Sequence, residues 1–232
     1  MKTVFNRVLD LLFPPRCIFC ADIMLQKKET MICDTCLLGL KAANKAVCPI
    51  CKKVRPCKCL PYIKEVCSVF EYNDTARKGI WGYKFRGRKA AGKGYAGLIA
   101  NRVKAVYVGI DFDYVMCVPM TFKGIYKRGY NQSELLAKNV SKLLSIKDGA
   151  KFLLKVKETQ KQSRTKNKTQ RRKNVEGVFT IQKKFEKTLE NKSILLIDDV
   201  VTTGSTLKEC AKVLKRAGCR QVYCAVLCSS PR

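Results

Sequence analysis

The sequence predicts an α/β protein with a mainly parallel sheet and a small cysteine-rich module at its N-terminal end. Apolar runs at residues 113–119 and 194–197 are typical of strands buried on both faces of such a sheet. Each run is followed by a loop and a segment with helical periodicity. Eight of the 14 cysteines lie between Cys17 and Cys59, in a segment with too few apolar residues to fold unaided. A chain of 232 residues suffices for one sizeable core and a small appendage.

Residues 3–13 carry apolar side chains at helical spacing and are predicted to form an amphipathic helix that Pro14 and Pro15 end. The segment begins like an export signal, but Arg7 and Asp10 interrupt it and no small-residue cleavage site follows. No apolar run reaches the roughly 18 residues of a membrane span. We therefore expect a cytoplasmic protein, where clustered thiols stay reduced and bind metal more often than each other.

The N-terminal cysteines have the spacing of tetrahedral zinc ligands. Two Cys-x-x-Cys pairs lie 12 residues apart, and a third is followed by a Cys-x-Cys pair of compressed spacing. Two zinc ions are predicted, with a structural role because four thiolates leave no open coordination position. One zinc shared among the four pairs is the alternative. The predicted ligands are Cys17, Cys20, Cys33 and Cys36 (the first cysteine cluster) and Cys48, Cys51, Cys57 and Cys59 (the second cysteine cluster).

The strongest functional signal lies in residues 194–207. The strand at 194–197 delivers two carboxylates, Asp198 and Asp199 (the acid pair), which can accept hydrogen bonds from ribose hydroxyls or bind a divalent cation indirectly. A loop rich in hydroxyls and glycine then leads into a helix predicted over 207–217, whose N-terminus attracts phosphate. The pattern suits a phosphorylated sugar, and the alternative is a buried strand with solvated acids and an ordinary helix cap. The predicted phosphate ligands are Thr202, Thr203, Gly204, Ser205 and Thr206 (the hydroxyl loop).

Residues 194–207 resemble the phosphoribosyl-pyrophosphate (PRPP) loop of type I phosphoribosyltransferases. The resemblance implies that the acid pair contacts the ribose hydroxyls of PRPP and its magnesium, while the hydroxyl loop holds the 5′-phosphate. It also implies a loop that closes over the reacting centre. Residues 155–173, with nine Lys or Arg, stand at about that place, so Arg164 and Arg171 are expected there; a basic linker is the alternative.

A second loop, predicted over residues 120–132, follows the strand at 113–119 and precedes a helix predicted over 132–144. At the carboxyl end of a neighbouring parallel strand, it would face the acid pair across the crevice where open α/β sheets bind ligands. By position and charge, Lys123, Lys127 and Arg128 are the predicted seat of a pyrophosphate.

Val118-Pro119 and the later run RGYNQS at 128–133 resemble the ComF family of competence-associated proteins. That family joins a zinc-binding module to a phosphoribosyltransferase-like domain, so the resemblance covers essentially the whole chain. It implies domains at 1–66 and 67–232. The Cys-x-Cys spacing at Cys57 departs from the two-residue spacer expected of that family.

The charge of the chain points to a polyanionic partner. Lys and Arg number 47 against 18 Asp and Glu, a formal charge of +29, which favours nucleic acid first and anionic lipid second. Aromatic and basic residues interleave over 73–93. This pattern is typical of nucleic-acid-binding surfaces, where the rings stack on bases and the cations follow the phosphate backbone. The alternative is that the rings face the core and the cations face water. The predicted nucleic-acid residues are Trp81, Lys84, Arg86, Arg88 and Lys89.

The ComF resemblance therefore implies a PRPP-binding protein of DNA uptake and natural transformation. Its expected partners are PRPP, single-stranded DNA and other DNA-uptake proteins such as a helicase. The alternative is an active phosphoribosyltransferase of nucleobase salvage, with magnesium and cations stabilising the departing pyrophosphate. A third hypothesis is a nucleic-acid adaptor whose sugar-phosphate pocket has lost its ligand. The chain has no histidine, which excludes His-based catalysis, and no residue identifies an acceptor base.

Overall fold

The structure, a computed structural model, describes residues 14–25, 28–45, 47–54, 57–157 and 177–230. The predicted helix at 3–13 and the predicted loop residues Arg164 and Arg171 lie outside these ranges. Within the described part of the chain, no helix is both long enough and apolar enough to cross a membrane.

Five parallel strands form the central sheet, as predicted, and two more strands form a separate antiparallel pair. The strands are β1 (Glu65–Glu71), β2 (Tyr114–Cys117), β3 (Lys147–Asp148), β4 (Leu153–Lys155), β5 (Phe179–Ile181), β6 (Ser193–Val201) and β7 (Gln221–Ser229). The order across the central sheet is β1-β7-β6-β2-β3, and the pair is β4-β5. The parallel sheet places all its carboxyl ends at one edge, where β6 carries the acid pair.

Six α-helices are described: α1 (Asp34–Gly39), α2 (Asp74–Phe85), α3 (Ala91–Val106), α4 (Phe122–Arg128), α5 (Gln132–Leu144) and α6 (Ser205–Arg216). Two single turns of 3₁₀ helix, Lys183–Phe185 and Lys187–Leu189, precede β6. The α3 and α5 helices pack against each other and on the sheet, while α6 contacts β5 and β7. Asn73 and Asn131 begin α2 and α5 as N-caps, since their side chains accept hydrogen bonds from Ala76 N and Ser133 N.

The segment predicted as a loop over 120–132 is mostly the short helix α4, so that prediction was wrong. Thr121 caps its start by accepting a hydrogen bond from Gly124 N at 3.1 Å. Gly129 ends the helix at φ 77°, a left-handed conformation that suits glycine. Both caps are present in the sequence, but the seven residues between them bury no side chain, so no apolar periodicity marks the helix.

The sheet divides the core into two, and one cysteine cluster belongs to each half. Leu195 and Ile197 face α3, α5 and the first cysteine cluster, whereas Ile194 and Leu196 face α6, β4, β5 and the second cysteine cluster. This follows from the alternation of side chains along a strand. The cysteine-rich module therefore packs on both faces of the sheet that presents the acid pair.

Candidate functional site

The acid pair lies where β6 separates from one of its neighbours. β6 stays paired with β7 as far as Val201↔Ser229, but its pairing with β2 ends at Ile197↔Cys117. The chain order also reverses here, because β2 is followed outward by β3 on one side and β6 by β7 on the other. Open α/β sheets bind ligands in the crevice at such a reversal. The sequence placed the acids just after the strand, whereas the structure includes them in β6, which continues to Val201.

Asp198 faces the start of α5. Its carboxylate accepts a hydrogen bond from Ser133 Oγ at 2.8 Å and another from Asp199 N at 2.9 Å. Burial and the adjacent Asp199 carboxylate raise the pKa of Asp198 to about 7. Near neutral pH this group is therefore poised between its charged and neutral forms, and a bound cation or hydroxyl donor would favour the charged one.

Asp199 is paired with a lysine from α2. Lys84 Nζ lies 2.7 Å from Asp199 Oδ1, with the two side chains 22% and 9% exposed. Burial opposes the charge on the ammonium, but the Asp199 carboxylate outweighs it and raises the pKa of Lys84. Lys84, which was predicted to lie on a nucleic-acid surface, therefore directs its charge into the acid site in this structure.

The RGYNQS run holds α2 against α5 and so positions Lys84. Gln132 Nε2 donates to the Lys84 backbone oxygen at 3.4 Å, and its own Oε1 accepts from Arg128 Nη1 at 3.3 Å. Tyr83 Oη donates to the Gln132 backbone oxygen at 3.0 Å, while Tyr130 Oη donates to the backbone oxygen of Tyr83. The sequence drew attention to this run through a family resemblance, but its bonds to α2 span about 50 residues and no local pattern reveals them.

The hydroxyl loop meets the start of α6 at Gly204, whose φ of 73° lies in the left-handed region. Gly204 has no side chain to cap the helix, so the first-turn N–H groups are left to other acceptors. Thr203 Oγ1 and Ser205 Oγ lie 2.9 Å apart. Thr202 is exposed at the rim, and Ser205 and Thr206 are partly exposed. Such a terminus can hold a phosphate through backbone N–H groups and hydroxyls.

Gly204 also touches the cysteine-rich module. A Cβ placed on it would stand 3.0 Å from Leu60 Cδ1 and 3.2 Å from Ile50 Cδ1. Both side chains are buried and belong to the second cysteine cluster's half of the core. The hydroxyl loop is therefore seated directly on that part of the module.

The three predicted pyrophosphate ligands all lie on α4. Arg128 is bound to Gln132, and its guanidinium lies 5.0 Å from the ring centre of Phe85. Lys123 and Lys127 are exposed on α4. Sequence reasoning missed the two aromatic residues of that helix, which are each 86% exposed and four positions apart: Phe122 and Tyr126.

The predicted nucleic-acid residues divide into two groups. Trp81, Arg86 and Lys89 are exposed, and the Arg86 guanidinium lies 4.6 Å from the Trp81 ring. Arg88 instead donates from Nη1 to the Phe19 backbone oxygen at 3.2 Å and passes close to Gly82. Arg88 therefore links the cysteine-rich module to α2, and its predicted role in binding nucleic acid stays a prediction.

Both cysteine clusters can bind a metal ion. Among the described residues, the four sulfurs of each cluster lie within 4.8 Å of one another. Cys20 and Cys33 Sγ are 3.7 Å apart, and Cys48 and Cys59 Sγ are 3.5 Å apart. Tetrahedral zinc with bonds of about 2.3 Å places its sulfurs roughly 3.8 Å apart, so two separate four-thiolate sites fit the structure better than one shared site.

Comparisons with known proteins agree with this architecture. Residues 90–232 match the phosphoribosyl transferase domain, and residues 8–69 match the double zinc ribbon domain. The first match covers more than half of the chain, so the chain belongs to the phosphoribosyl transferase domain family. The fold class predicted from the sequence is confirmed, and the double zinc ribbon together with the two clusters supports zinc as the metal.

Three curated relatives define the group more narrowly. The chain is 27% identical to the DNA utilization protein YhgH of Salmonella typhimurium over 219 residues, 91% of this chain and 89% of that protein. It is 28% identical to competence protein ComFC of Streptococcus pneumoniae over 214 residues, 88% of this chain and 90% of that protein. A match to competence protein F of Haemophilus influenzae is 32% identical over 108 residues, 47% of this chain and 46% of that protein. The ComF resemblance is thereby confirmed.

Proposed function

We propose that this protein binds PRPP with magnesium and binds single-stranded DNA during DNA uptake. The observation that carries the proposal is the acid pair at the reversal point of the sheet, followed at once by a helix start that Gly204 leaves without a side-chain cap. Relatives of nearly the same length are named DNA utilization and competence proteins, which supports the role in DNA uptake.

PRPP suits the two halves of the site. The hydroxyl loop and the start of α6 would hold the 5′-phosphate, and the acid pair would accept hydrogen bonds from the ribose hydroxyls. Magnesium commonly binds one or two carboxylates together with substrate phosphates, and the acid pair supplies such ligands. The metal would neutralise charge on the pyrophosphate. Lys84 Nζ lies 2.7 Å from Asp199 Oδ1, so magnesium or a ribose hydroxyl that binds Asp199 would compete with Lys84. Ligand binding would therefore lengthen this ion pair or use the other oxygen of the Asp199 carboxylate.

Single-stranded DNA suits the surface beside this site. Trp81, Arg86 and Lys89 are exposed near the end of α2, and α4 presents two exposed rings among exposed lysines. Arg128 over the Phe85 ring, at 5.0 Å, joins the two helices into one surface. Aromatic rings that stack on bases among cations that follow phosphates are typical of proteins that bind single strands.

Binding of a labelled single-stranded oligonucleotide, followed by fluorescence anisotropy as salt is raised, tests the DNA half of the proposal. Affinity from counterion release falls steeply with salt, each phosphate contact adding about 0.7 to the log–log slope. Arg86→Glu with Lys89→Glu should weaken binding and flatten the slope. Phe122→Ala with Tyr126→Ala should weaken it by about 1–3 kcal/mol per stacked base at every salt concentration, because stacking is not screened.

Lys183→Glu with Lys187→Glu is the matched control, since both lysines are exposed on the 3₁₀ turns. These turns pack through Phe185 and Leu189 against the half of the core that holds the second cysteine cluster. It changes the total charge equally and should have the smaller effect on the slope. Equal effects from both charge reversals would mean that the oligonucleotide is held by net charge alone. Weak binding at low salt together with turnover of one nucleobase would overturn the DNA proposal and favour the salvage enzyme.

A further inference from the structure

A small cavity of about 30 Å³ lies where the cysteine-rich module meets β1 and β7. The module runs along the outer edge of β1 here, because Ala43 N donates to the Val69 backbone oxygen and Glu71 N donates to the Lys41 backbone oxygen. The cavity therefore lies at the boundary between the module and the sheet. The polar part of its lining is Asn44, Cys48 and Lys52 from the module and Ser68, Glu71 and Ser229 from the strands.

One lining residue has a buried hydroxyl that the protein does not satisfy. Ser229 is fully buried, and its Oγ has no hydrogen-bond partner among the residues that the structure describes. The backbone of Ser229 is held on both sides, since it pairs with Val201 of β6 and with Glu71 of β1. A shift of the strand that brought Oγ to another partner would break this pairing. Buried hydroxyls without a partner are rare and cost free energy, so this one indicates a ligand in the cavity.

A second buried hydroxyl lines the same cavity. Ser68 is 1% exposed, and its Oγ donates to the Phe70 backbone oxygen at 2.8 Å. A hydroxyl has one proton and two lone pairs, so Ser68 Oγ can still accept a hydrogen bond while it donates one. Ser229 Oγ can both donate and accept. The two strands thus offer hydrogen bonds of both kinds to one small ligand.

The size and charge of the cavity select that ligand. A buried water molecule requires roughly 10–15 Å³ and two to four polar partners, so about 30 Å³ is enough for it. Sites for larger ligands such as sugar phosphates typically have volumes of roughly 300–1,000 Å³. Lys52 and Glu71 have opposite charges, so an ion of either sign would lie near a like charge. A neutral molecule with a donor and an acceptor avoids that repulsion.

We propose that this cavity binds a structural water molecule, which forms hydrogen bonds with Ser229 Oγ and Ser68 Oγ and links the two strands to the second cysteine cluster. Cys48, a predicted zinc ligand, belongs to the lining, so the water lies beside that cluster. Groups around a metal ligand keep it oriented, and loss of the water should therefore weaken the hold on zinc. None of the lining residues belongs to the acid pair or to the hydroxyl loop, so the site is independent of PRPP binding.

The sign of a stability change tests this proposal. Ser229→Ala removes one partner of the water, so the unfolding equilibrium constant, measured with urea, should increase about tenfold. Removal of a hydroxyl that was buried without any partner would have the opposite effect, because it relieves a desolvation cost. A variant that is as stable as the parent, or more stable, overturns the proposal.

Ser193→Ala is the matched control. Ser193 is also a buried serine in a strand, but its Oγ accepts a hydrogen bond from Arg220 Nη2 at 3.0 Å. Its loss should destabilise the protein without affecting either cysteine cluster. In the parent loaded with zinc, Ser229→Ala should release one of two equivalents to a chromophoric chelator about tenfold faster, whereas Ser193→Ala should release both at the parent's rate. Equal release rates in the two variants overturn the proposed link to the second cysteine cluster.

A crystal structure that resolves ordered solvent tests the site directly. The parent should show a water molecule within about 3.2 Å of Ser229 Oγ, and Ser229→Ala should lose or displace it. Well-defined side chains around a cavity without a solvent peak would overturn the proposal. A direct hydrogen bond from Ser229 Oγ to a protein atom would overturn it as well.

Discussion

At the scale of single residues, the two acids differ although they are neighbours. Asp199 is neutralised by Lys84 at 2.7 Å, whereas Asp198 accepts hydrogen bonds from Ser133 and a backbone N–H, and its pKa is raised to about 7. Ionising two adjacent carboxylates in a partly buried site costs free energy, because the negative charges repel each other. Asp199 is therefore paired with a cation, while Asp198 loses its proton only near neutral pH. The sequence predicted the pair but not this division, because Lys84 lies more than 100 positions away along the chain.

Gly204 is the residue at which the hydroxyl loop and the cysteine-rich module meet. Gly204→Ala adds a Cβ that is 3.0 Å from Leu60 and 3.2 Å from Ile50, in a backbone with φ 73°. The left-handed conformation alone costs an alanine about 1–2 kcal/mol. We expect a larger loss in the free energy of unfolding, measured with urea, and weaker phosphate-ligand binding, because the loop or the module must shift.

Gly109→Ala provides the control for that measurement. Gly109 has a similar φ of 71°, but an added Cβ would meet nothing within 4 Å. It therefore reports the cost of the backbone conformation without the contact. Equal losses for the two variants would show that the module exerts no steric control over the loop.

At the scale of elements, the sequence was reliable where a pattern is local and dense. Four consecutive buried residues marked the middle of β6, and the periodicity of 90–106 and 132–144 marked α3 and α5. The sequence did not predict α4 because this helix has no buried face. The exposure of Phe122 and Tyr126 was missed for the same reason. The available signal was the spacing of four between these two aromatic residues, each of which is followed by a lysine.

The two cysteine clusters contact different elements, so their loss should have different effects. The first contacts α2 and α3: Tyr95 Oη donates to the Ile18 backbone oxygen at 2.6 Å, and an added Cβ on Gly79 would be 2.5 Å from Phe19. The second supports the hydroxyl loop through Ile50 and Leu60. The segment of chain around each cluster has too few apolar residues to keep its structure without metal.

We expect the purified protein to carry two equivalents of zinc, counted with a chromophoric chelator after denaturation. Cys17→Ser with Cys20→Ser should remove one equivalent and unfold the first cluster, with loss of overall stability. Cys48→Ser with Cys51→Ser should remove the other and weaken phosphate-ligand binding more than the first pair does. Two outcomes would contradict the presence of two structural zinc sites. One is a metal-free protein with the same melting curve, and the other is a protein with a single zinc ion that either double substitution removes completely.

At the scale of the whole molecule, the cysteine-rich module shares both halves of the core with the phosphoribosyl transferase domain. It packs on both faces of the sheet, and Arg88 and Tyr95 bind its backbone. The family resemblance implied domains at 1–66 and 67–232, and contacts between two such segments leave no local trace in the sequence. The same limit hid the bonds of the RGYNQS run to α2, although the run itself was conspicuous. Sequence patterns indicate which groups are present, and the topology of the sheet decides which of them meet.

The central claim is that the acid pair binds PRPP with magnesium, and calorimetric titration at pH 6, 7 and 8 tests it most directly. Magnesium or ribose hydroxyls favour the charged form of Asp198, whose pKa is raised to about 7 before the ligand binds. Affinity should therefore increase as the pH rises from 6 to 8. Asp198→Asn should weaken binding at pH 8 at least tenfold, the loss of one charge-assisted hydrogen bond of about 1.5–3 kcal/mol.

The variant should also lose the part of the pH dependence that Asp198 contributes, while the titration of the PRPP phosphates, common to both proteins, remains. Lys183→Gln, at an exposed position on a 3₁₀ turn, should bind like the parent. Binding of PRPP by the parent should tighten as the pH rises and should be weaker in Asp198→Asn. No heat of binding to the folded parent, or the same affinity and pH profile in parent and variant, would contradict it.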